Sequence, residues 1–291
     1  MIELKEEKVL EHIADKIIEY TPSKSGFNGN RVFLSDTTVI KIFKESEYAY
    51  YDNEMLVYEY LKNDGCVAKI IETGMINTSK YIKMERINAT ALYNVWHLLD
   101  KEKREELIQQ IAKILNIINS IPAKKIEFKK YIVNEFNKYY NQLNVSENLK
   151  DRIYKFYNSN IDKIQENEDV YLTYFDAHFD NFMYNEKENK IYAIDFEDIR
   201  IGALDYQLDI INRMCKYPYL FANEEDEKNV KIEDYKDILN ILKKNYPKMF
   251  ENEYLEKRLQ LYSLIYDIYI IVKYKLNEEE LLYRIEDDLR D

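Results

Sequence analysis

Three oxygen-bearing side chains lie close together in the segment YFDAHFDNFMYNEKENKIYAIDFED. Asp176 precedes Asn181 by five residues, and Asp195 follows Asn181 by fourteen residues, directly behind the apolar stretch 191–194. In phosphoryl transfer, one carboxylate accepts the proton of the attacking hydroxyl, while an amide oxygen and a second carboxylate hold Mg²⁺ against the phosphates. The spacing therefore predicts a turn, a hairpin and a strand end that bring these three groups together.

The sequence also allows interpretations in which the same residues have no catalytic role. Asp and Asn are also favoured in turns because they bond their own backbone, and Asp176 with Asn181 alone would be read that way. The position of Asp195 directly behind an apolar strand is what favours a role in phosphoryl transfer. Glu197 and Asp198, just past that acid, either contact substrate or face water.

The elements ahead of this segment predict a small lobe of sheet and helix. Residues 21–30, TPSKSGFNGN, collect small and turn-forming residues and predict a loop that enters a β-hairpin. Apolar residues spaced three and four apart predict helices, and short runs of β-branched and aromatic residues predict strands. The predicted helices of this part cover 5–19 and 50–64, and the predicted strands cover 31–34, 37–43, 67–76 and 79–87.

The remainder of the chain predicts a helical lobe with a short β-rich insertion. Helical periodicity covers residues 91–120 and 127–166, and again most of the chain beyond residue 205, most clearly 252–275. Between these parts, residues 170–198 predict short strands separated by polar turns. We therefore expect the chemical segment to be an island of strands among helices.

Composition and charge exclude several classes of protein. The 291 residues include 42 Lys and Arg against 54 Asp and Glu, and the resulting charge of −12 argues against general nucleic-acid binding and favours cationic or metal-bridged partners. Two distant cysteines indicate neither a disulfide framework nor a zinc site, and they favour a reducing compartment. The charged amino terminus and the short apolar run 268–272 predict a cytoplasmic protein with no membrane segment.

The segment around Asp176 resembles the aminoglycoside phosphotransferase and choline kinase superfamily of kinase-like enzymes. The family pattern is close to HGDxHxxN followed by an apolar strand and IDF or IDW. Asp176, His178 and Asn181 match the Asp, the second His and the Asn, and residues 194–196 match the strand end. By this resemblance His178 supports the loop through hydrogen bonds, and Asp176 is the base.

The sequence departs from the family pattern at one place and matches it again further along the chain. Tyr174 and Phe175 stand where the family usually has His-Gly. Further on, IGALDYQLDI resembles the family's GDPxxDLA, and Asp209 matches its buried structural Asp. The resemblance implies an α+β fold: a bilobal protein-kinase-like fold with a small mixed β-sheet N-lobe, residues 1–87, and a larger mostly helical C-lobe, residues 88–291.

The same resemblance implies a nucleotide site in the first lobe. Gly26 and Gly29 would lie in the loop that covers the phosphates, where absent side chains let backbone N–H groups approach the nucleotide. Lys41 matches the lysine that contacts the α and β phosphates. Glu54, thirteen residues later, matches the acid that pairs with it, and Glu59 is the alternative. The alternative interpretation needs no nucleotide. A lysine on a strand is ordinarily exposed to solvent, and a glutamate on a helix ordinarily lies at the surface.

Residues 81–87 resemble the hinge between the lobes. Met84 would line the adenine pocket, and the backbone of Glu85 and Ile87 would bond the purine edge. The phosphate donor is then ATP or GTP. Backbone recognition has no side-chain signature, so this assignment follows from the resemblance alone.

The resemblance assigns a role to each group and a class to the acceptor. Asp176 takes the proton of the acceptor hydroxyl, and Asn181 with Asp195 holds Mg²⁺. The acidic balance agrees with a small cationic acceptor, an aminoglycoside first and choline or another metabolite second. A nucleotide-binding scaffold without activity is the rival hypothesis. Carboxylates near the carboxyl terminus could contact substrate ammonium groups or form a solvated helix face, and they are Glu278, Glu279, Glu280, Asp287 and Asp288.

Overall fold

A computed structural model describes most of the chain, namely residues 21–22, 31–221, 227–275 and 278–290. The predicted helix over 5–19 and the loop with Gly26 and Gly29 lie outside the described residues. Contacts between Cα atoms divide the chain into two compact units, the first comprising 1–118 with 179–199 and the second 119–178 with 200–291. The predicted lobes are two continuous stretches that meet after residue 87, whereas each of these units combines separate stretches of the chain. The lobe boundary therefore stays a prediction.

The first unit contains a five-stranded sheet with the order β1-β2-β3-β5-β4. Every neighbouring pair in it is antiparallel, so the sheet is antiparallel where a mixed sheet was expected. Ser35 forms the predicted hairpin turn because its hydroxyl accepts a hydrogen bond from the Thr38 amide at 2.9 Å. The strands are β1 Thr21–Pro22, β2 Arg31–Leu34, β3 Thr38–Phe43, β4 Ile70–Ile76 and β5 Ser79–Glu85.

One helix, α1 (Tyr48–Leu61), accompanies this sheet. Its buried residues are Glu54, Val57, Tyr58 and Leu61, which recur at the three- and four-residue spacing that forms one helical face. The face is apolar apart from Glu54, whose side chain is fully buried. A buried carboxylate needs a charged or hydrogen-bonding partner, so this position marks the helix for a role beyond packing.

The rest of the first unit contains the hairpin that separates Asn181 from Asp195, together with the elements around it. A three-stranded sheet has the order β6-β8-β9, and its last two strands form an antiparallel hairpin. The predicted helix over 91–120 is two helices, because the Asp100 carboxylate accepts a hydrogen bond from the Lys103 amide at 2.8 Å and starts the second one. The elements are β6 Thr90–Ala91, α2 Leu92–Trp96, α3 Lys101–Ser120, β8 Phe182–Asn185 and β9 Lys190–Ala193.

The second unit is mostly helical, as predicted. The expected helix over 127–166 divides in two, because the Ser146 hydroxyl accepts a hydrogen bond from the Leu149 amide at 3.3 Å and caps a new helix. Two short strands pair within this helical part, β7 Tyr171–Tyr174 and β10 Ile199–Gly202. The helices are α4 Phe128–Tyr140, α5 Glu147–Asn160, α6 Leu208–Lys216, α7 Ile238–Asn245, α8 Leu255–Tyr274 and α9 Glu278–Asp288.

Buried arginines connect the helices of the second unit. Arg258 on α8 is fully buried, and its Nε lies 2.7 Å from Asp205 Oδ2 and its Nη2 2.9 Å from Asp205 Oδ1. On the same helix, Asp267 binds the guanidinium groups of both Arg213 and Arg284. Because an uncompensated buried charge is costly, these pairs fix which helices must lie together. None of the helices in the described parts is long and apolar enough to cross a membrane.

Candidate active site

Lys41 lies on β3, a strand with neighbours on both sides in the larger sheet of the first unit. The residue is only 6% exposed, so it does not belong to a solvated face. In the sheet it lies opposite Val32 on β2 and Ile82 on β5. A buried ammonium group requires anionic partners, and the structure provides three of them.

The three partners of Lys41 are carboxylates. Its Nζ lies 2.6 Å from Glu54 Oε1, 3.0 Å from Asp195 Oδ1 and 3.0 Å from Glu197 Oε1. Glu54 comes from α1, while the other two acids follow the β8–β9 hairpin, so elements distant in sequence meet at one nitrogen. Glu59 is not the partner of Lys41, because its exposed side chain pairs with Lys62 one helical turn away.

Burial and charge oppose each other in this cluster. Burial by itself would lower the pKa of Lys41, but Asp195, Glu54 and Glu197 outweigh it and raise that pKa well above its usual value. Burial raises the pKa of Glu54, the charge of Lys41 lowers it, and the net direction is upward. The second oxygen of Glu54 accepts a hydrogen bond from the Phe196 amide. Lys41 is therefore a permanent cation held by fixed acceptors.

Asp195 stands at the end of the hairpin in an unusual backbone conformation. Its φ of 62° lies in the left-handed region, which residues other than glycine seldom adopt and which concentrates at functional sites. The Ile194 amide donates to the Asn181 carbonyl at 3.0 Å, and this bond fixes the entry to that conformation. The side chain is 44% exposed, so the carboxylate that contacts Lys41 also remains accessible to a ligand.

Asn181 ends a short helical turn, Phe179–Asn181, just before β8. The pairing of Phe182 with Ala193 brings Asn181 beside the residues that follow β9. Asn181 and Asp195 thus supply an amide oxygen and a carboxylate oxygen within one unit, and Mg²⁺ prefers such ligands while keeping waters and substrate phosphates as the others. The donor set fits Mg²⁺. Across the described residues, no group of three or more His, Cys, Asp or Glu is placed to hold a metal ion.

The predicted hinge residues lie at the end of β5. Met84 is 4% exposed, and its sulfur accepts a hydrogen bond from the Tyr58 hydroxyl at 3.3 Å. The Glu85 amide donates to the Lys69 carbonyl at 2.9 Å, and the Ile87 carbonyl accepts from the Ala89 amide at 3.0 Å. These bonds use the amide of Glu85 and the carbonyl of Ile87.

Asp176 belongs to the second unit, where it follows β7. His178 Nε2 lies 3.3 Å from Asp176 Oδ1, and the His178 amide donates to the Asp176 carbonyl at 2.8 Å. The histidine therefore contacts the predicted base and closes a tight turn around it. Its ring centre lies 5.4 Å from that of Phe221.

The aromatic pair that replaces His-Gly is buried in the second unit. The Tyr174 amide donates to Gln207 Oε1 at 3.3 Å, and the Phe175 ring centre lies 4.6 Å from that of Tyr206. The Arg200 guanidinium carbon lies 3.6 Å from the centre of the Phe175 ring. The hydrogen bond of the Tyr174 amide and the packing of the Phe175 ring thus anchor the strand end that leads to Asp176.

The second unit contains a cavity of about 190 Å³ beside this aromatic pair. Phe175 lines it, together with the charged side chains of Glu135, Arg200 and Lys273. The rest of its wall is largely phenolic, with the tyrosines Tyr131, Tyr139, Tyr206, Tyr262, Tyr266 and Tyr269. Burial raises the pKa of Tyr206 and Tyr262, so these phenols stay neutral hydrogen-bonding groups.

The acidic residues near the carboxyl terminus divide into two groups. Glu279 and Glu280 line an open depression with Tyr219 and Tyr283, and the Tyr219 hydroxyl donates to Glu280 at 3.0 Å. Asp288 is only 3% exposed. Asp287 is engaged by the Tyr217 hydroxyl at 2.8 Å and by Arg290, and the Glu278 side chain lies outside the described residues.

Sequence reasoning missed two features of these sites. Glu197 was open between substrate contact and solvent, yet its side chain is buried against Lys41. Arg258 follows Glu256 and Lys257 at the start of α8, and nothing in the sequence there distinguishes this buried arginine from its charged neighbours. Asp209, expected to be buried, is 1% exposed, and burial raises its pKa to about 7.

Solved structures with the same architecture belong to kinases of small molecules. The ADP-bound aminoglycoside phosphotransferase APH(2'')-Ib has a TM-score of 0.66 and 17% identity, covering 98% of this chain and 96% of that chain. The streptomycin-ATP-APH(2")-IIa ternary complex has a TM-score of 0.67 and 19% identity, covering 100% and 98%. Amicoumacin kinase hAmiN, in complex with AMP-PNP, Ca²⁺ and Ami, has 0.64 and 15%, covering 98% and 93%. The fold is therefore protein-kinase-like, with a small sheet lobe and a helical lobe, as predicted.

Family membership follows from the sequence itself. The model of the phosphotransferase enzyme family matches residues 19–209, and the chain belongs to that family. This confirms the predicted class of enzyme, a small-molecule phosphotransferase that acts on hydroxyl groups. No curated protein matches the sequence.

Proposed function

We propose that this protein transfers the γ-phosphate of ATP, or of GTP, to a hydroxyl group of a small molecule in a Mg²⁺-dependent reaction. The observation that carries the proposal is the buried Lys41, in contact with Glu54 at 2.6 Å and with Asp195 at 3.0 Å. A lysine–glutamate pair beside a metal-directed aspartate is the arrangement that phosphoryl transfer in kinase folds requires.

The nucleotide half of the mechanism belongs to the first unit. Lys41 donates to the α and β phosphates, and Glu54 fixes the direction of its ammonium group. Gly26 and Gly29 cover the phosphates in the proposed loop. Met84 lines the adenine pocket, and the backbone of Glu85 and Ile87 bonds the purine edge. Most of the rate gain then comes from positioning and from charge neutralisation.

Asn181 and Asp195 hold Mg²⁺ in this proposal. When bound, the metal neutralises charge on the β and γ phosphates. The left-handed backbone at Asp195 supports the role, because strained residues of this kind persist where the surrounding structure over-determines them. The accessible carboxylate of Asp195 and the amide of Asn181 are the groups that ligate.

Asp176 orients the acceptor hydroxyl and takes its proton during transfer. Its place in the motif, five residues before Asn181, supports this role. His178 positions the carboxylate, since its Nε2 lies 3.3 Å from Asp176 Oδ1. Removal of the Asp176 charge would therefore leave nucleotide binding in place and abolish transfer.

The acceptor we propose first is a small polycation of the aminoglycoside class. Glu279 and Glu280, with the faces of Tyr219 and Tyr283 beside them, offer carboxylates and rings to ammonium groups. The net charge of −12 adds attraction for a cation at long range. Two of the similar structures contain a small molecule beside the nucleotide, streptomycin in one and Ami in the other, and these compounds belong in the acceptor panel for this chain.

A second acceptor class, a compact ring-bearing metabolite, is favoured by the tyrosine-lined cavity. Protein cations already occupy ring faces there: Arg200 lies 3.6 Å from the centre of Phe175, and Lys273 lies 5.0 Å from that of Tyr269. Of the charged side chains in the wall, Arg200 and Lys273 outnumber Glu135. A polycation would be repelled by this wall, whereas a neutral ring with hydroxyl groups would stack and bond to phenols.

A coupled assay of nucleoside diphosphate release separates these proposals. ATP and GTP are each supplied with Mg²⁺ against aminoglycosides, choline, amino alcohols and neutral sugars. We expect acceptor-dependent turnover that Asp176→Asn abolishes and that Asp169→Asn, an exposed control in the same unit, leaves unchanged. Turnover with neutral rings alone would favour the second class.

Substitutions of the two carboxylates, Asp195 and Asp176, should have different effects on nucleotide binding and on transfer. Asp195→Ala is expected to weaken binding of the Mg²⁺-nucleotide by roughly tenfold or more, whereas Asp176→Asn should bind it like the wild type while losing transfer. Calorimetric titration with ADP and Mg²⁺ measures the first effect. Equal loss of binding in both folded variants would contradict the assigned roles, and nucleotide binding without turnover on any acceptor would favour an inactive scaffold.

The compartment we propose is the cytoplasm. Cys66 and Cys215 are both free thiols, and burial raises the pKa of the first to about 11 and of the second to about 12. Thiols of this kind suit a reducing environment. The acidic charge supports a function without nucleic acid as a partner.

A further inference from the structure

Asn53 lies on α1 directly before Glu54, and its side chain contacts the backbone that follows Asp195. Its Nδ2 donates a hydrogen bond to the Glu197 carbonyl at 2.8 Å and lies 3.4 Å from the Ile199 carbonyl. An amide NH₂ group has two donors, so one nitrogen can meet both carbonyls. Asn53 therefore holds the segment after Asp195 against α1 by its backbone.

Glu54 binds the same segment from the next position of the helix. Its Oε2 accepts a hydrogen bond from the Phe196 amide, while its Oε1 lies 2.6 Å from Lys41 Nζ. Helix α1 thus contacts two consecutive residues of the segment, Phe196 through its N–H and Glu197 through its C=O. The two helix residues differ in one respect, since Glu54 also binds Lys41 whereas the bonds of Asn53 go to the segment.

Asp195 is the residue that these contacts surround. Its φ of 62° lies in the left-handed region. On its amino-terminal side, the Ile194 amide donates to the Asn181 carbonyl at 3.0 Å. On its carboxyl-terminal side, the next two residues are bound to α1. Because a left-handed aspartate persists only where the surrounding structure over-determines it, the bonds from α1 contribute to the position of the Asp195 carboxylate.

We propose that Asn53 is a positioning residue for the metal: by holding the Glu197 backbone against α1, it keeps the Asp195 carboxylate in place for Mg²⁺. The inference rests on the proposed function, which assigns that carboxylate to the metal. Asn53 and Glu54 are neighbours on one helix, so α1 positions both the lysine that meets the phosphates and the aspartate that meets the metal. Binding of nucleotide and binding of Mg²⁺ are thereby coupled through α1.

The test is the effect of Mg²⁺ on ADP binding by the wild type, by Asn53→Leu and by Asn53→Ala. Each protein is titrated calorimetrically with ADP, once in EDTA and once in excess Mg²⁺. We expect Mg²⁺ to strengthen ADP binding by the wild type, and we expect this strengthening to be roughly three- to tenfold smaller in both variants, as for the loss of one hydrogen bond. Metal-free binding should stay within about twofold of the wild type, because Glu54 keeps its contact with Lys41.

The variants and their control separate the hydrogen bond from packing. Leu has about the volume of Asn without its donor, Ala leaves a gap, and both are strong helix formers, so α1 itself should persist. Asn63→Ala is the matched control, because Asn63 is an exposed asparagine just beyond the end of α1 and should leave both titrations unchanged. Folding is followed by fluorescence of Trp96, the single tryptophan, which is 1% exposed.

Three outcomes would overturn the inference alone. The first is a folded Asn53→Leu or Asn53→Ala in which Mg²⁺ strengthens ADP binding as much as in the wild type. The second is equal weakening of ADP binding with and without Mg²⁺, which would give Asn53 a structural role in the nucleotide pocket. The third is a loss in Asn53→Ala that Asn53→Leu does not share, which would be an effect of packing. A folded wild type whose ADP binding does not respond to Mg²⁺, or that binds no ADP, would refute the proposed function together with the inference.

Discussion

Replacement of Lys41 by Met should destabilise the first unit strongly at neutral pH. The substitution keeps the length of the side chain but removes the ammonium that three carboxylates share at 2.6, 3.0 and 3.0 Å. Glu54 is fully buried and Glu197 is 8% exposed, so neither can recover solvation, while Asp195 is 44% exposed and contributes little to the penalty. Removal of one partner of a buried ion pair costs about 3–5 kcal/mol, and we expect a loss in that range.

The penalty should depend on pH with a definite sign. Without Lys41, burial and then the charges of Asp195 and Glu197 raise the pKa of Glu54 further than in the wild type. A carboxyl whose folded pKa lies above its unfolded pKa binds more protons in the folded state, so stability falls as pH rises through that interval. The difference between Lys41→Met and the wild type should therefore be largest near pH 7.5 and shrink toward pH 5.5.

Urea unfolding at both pH values measures this effect. The buried Trp96 belongs to the same unit and reports its unfolding by fluorescence. Lys69→Met is the matched control, because Lys69 and Glu85 form an exposed pair at 3.6 Å, worth at most about 1 kcal/mol. A loss below 1 kcal/mol for Lys41→Met at pH 7.5, or an equal loss at pH 5.5, would refute the reasoning.

Two further predictions concern the second unit. Burial raises the pKa of Asp209 from 3.8 to about 7, so its contribution to stability should fall as pH rises from about 4 to 7, by at most about 4 kcal/mol, and Asp209→Asn should flatten that slope in melts across this range. An unchanged slope would contradict the burial argument. Gly202→Ala should lower stability by about 1–3 kcal/mol, because the added Cβ would lie 2.7 Å from the Tyr206 ring and 2.9 Å from the Phe128 ring. A melting temperature equal to that of the wild type would show that both rings can move aside.

Local signals in the sequence predicted most of the first unit. The Ser35 turn, the strands around it and helix α1 follow from residue types a few positions apart, and these elements formed as expected. Lys41 and Glu54 are thirteen positions apart, one on a strand and the other on the next helix, so the contact between them was also expected from the family pattern. Longer helices were less well predicted, because apolar periodicity continues through positions where Asp100 and Ser146 cap new helices.

The sequence by itself determined the family, the order of the motif residues and the chemistry those residues can perform. It could not decide which acids share Lys41, since Asp195 is 154 residues away and a carboxylate has the same local signature whether it faces water or a buried ammonium. The choice between Glu54 and Glu59, and the burial of Glu197, depend on which helical face and which side of a hairpin turn inward. Only the tertiary structure decided them, because desolvation and the distance between charges arise when remote elements pack together.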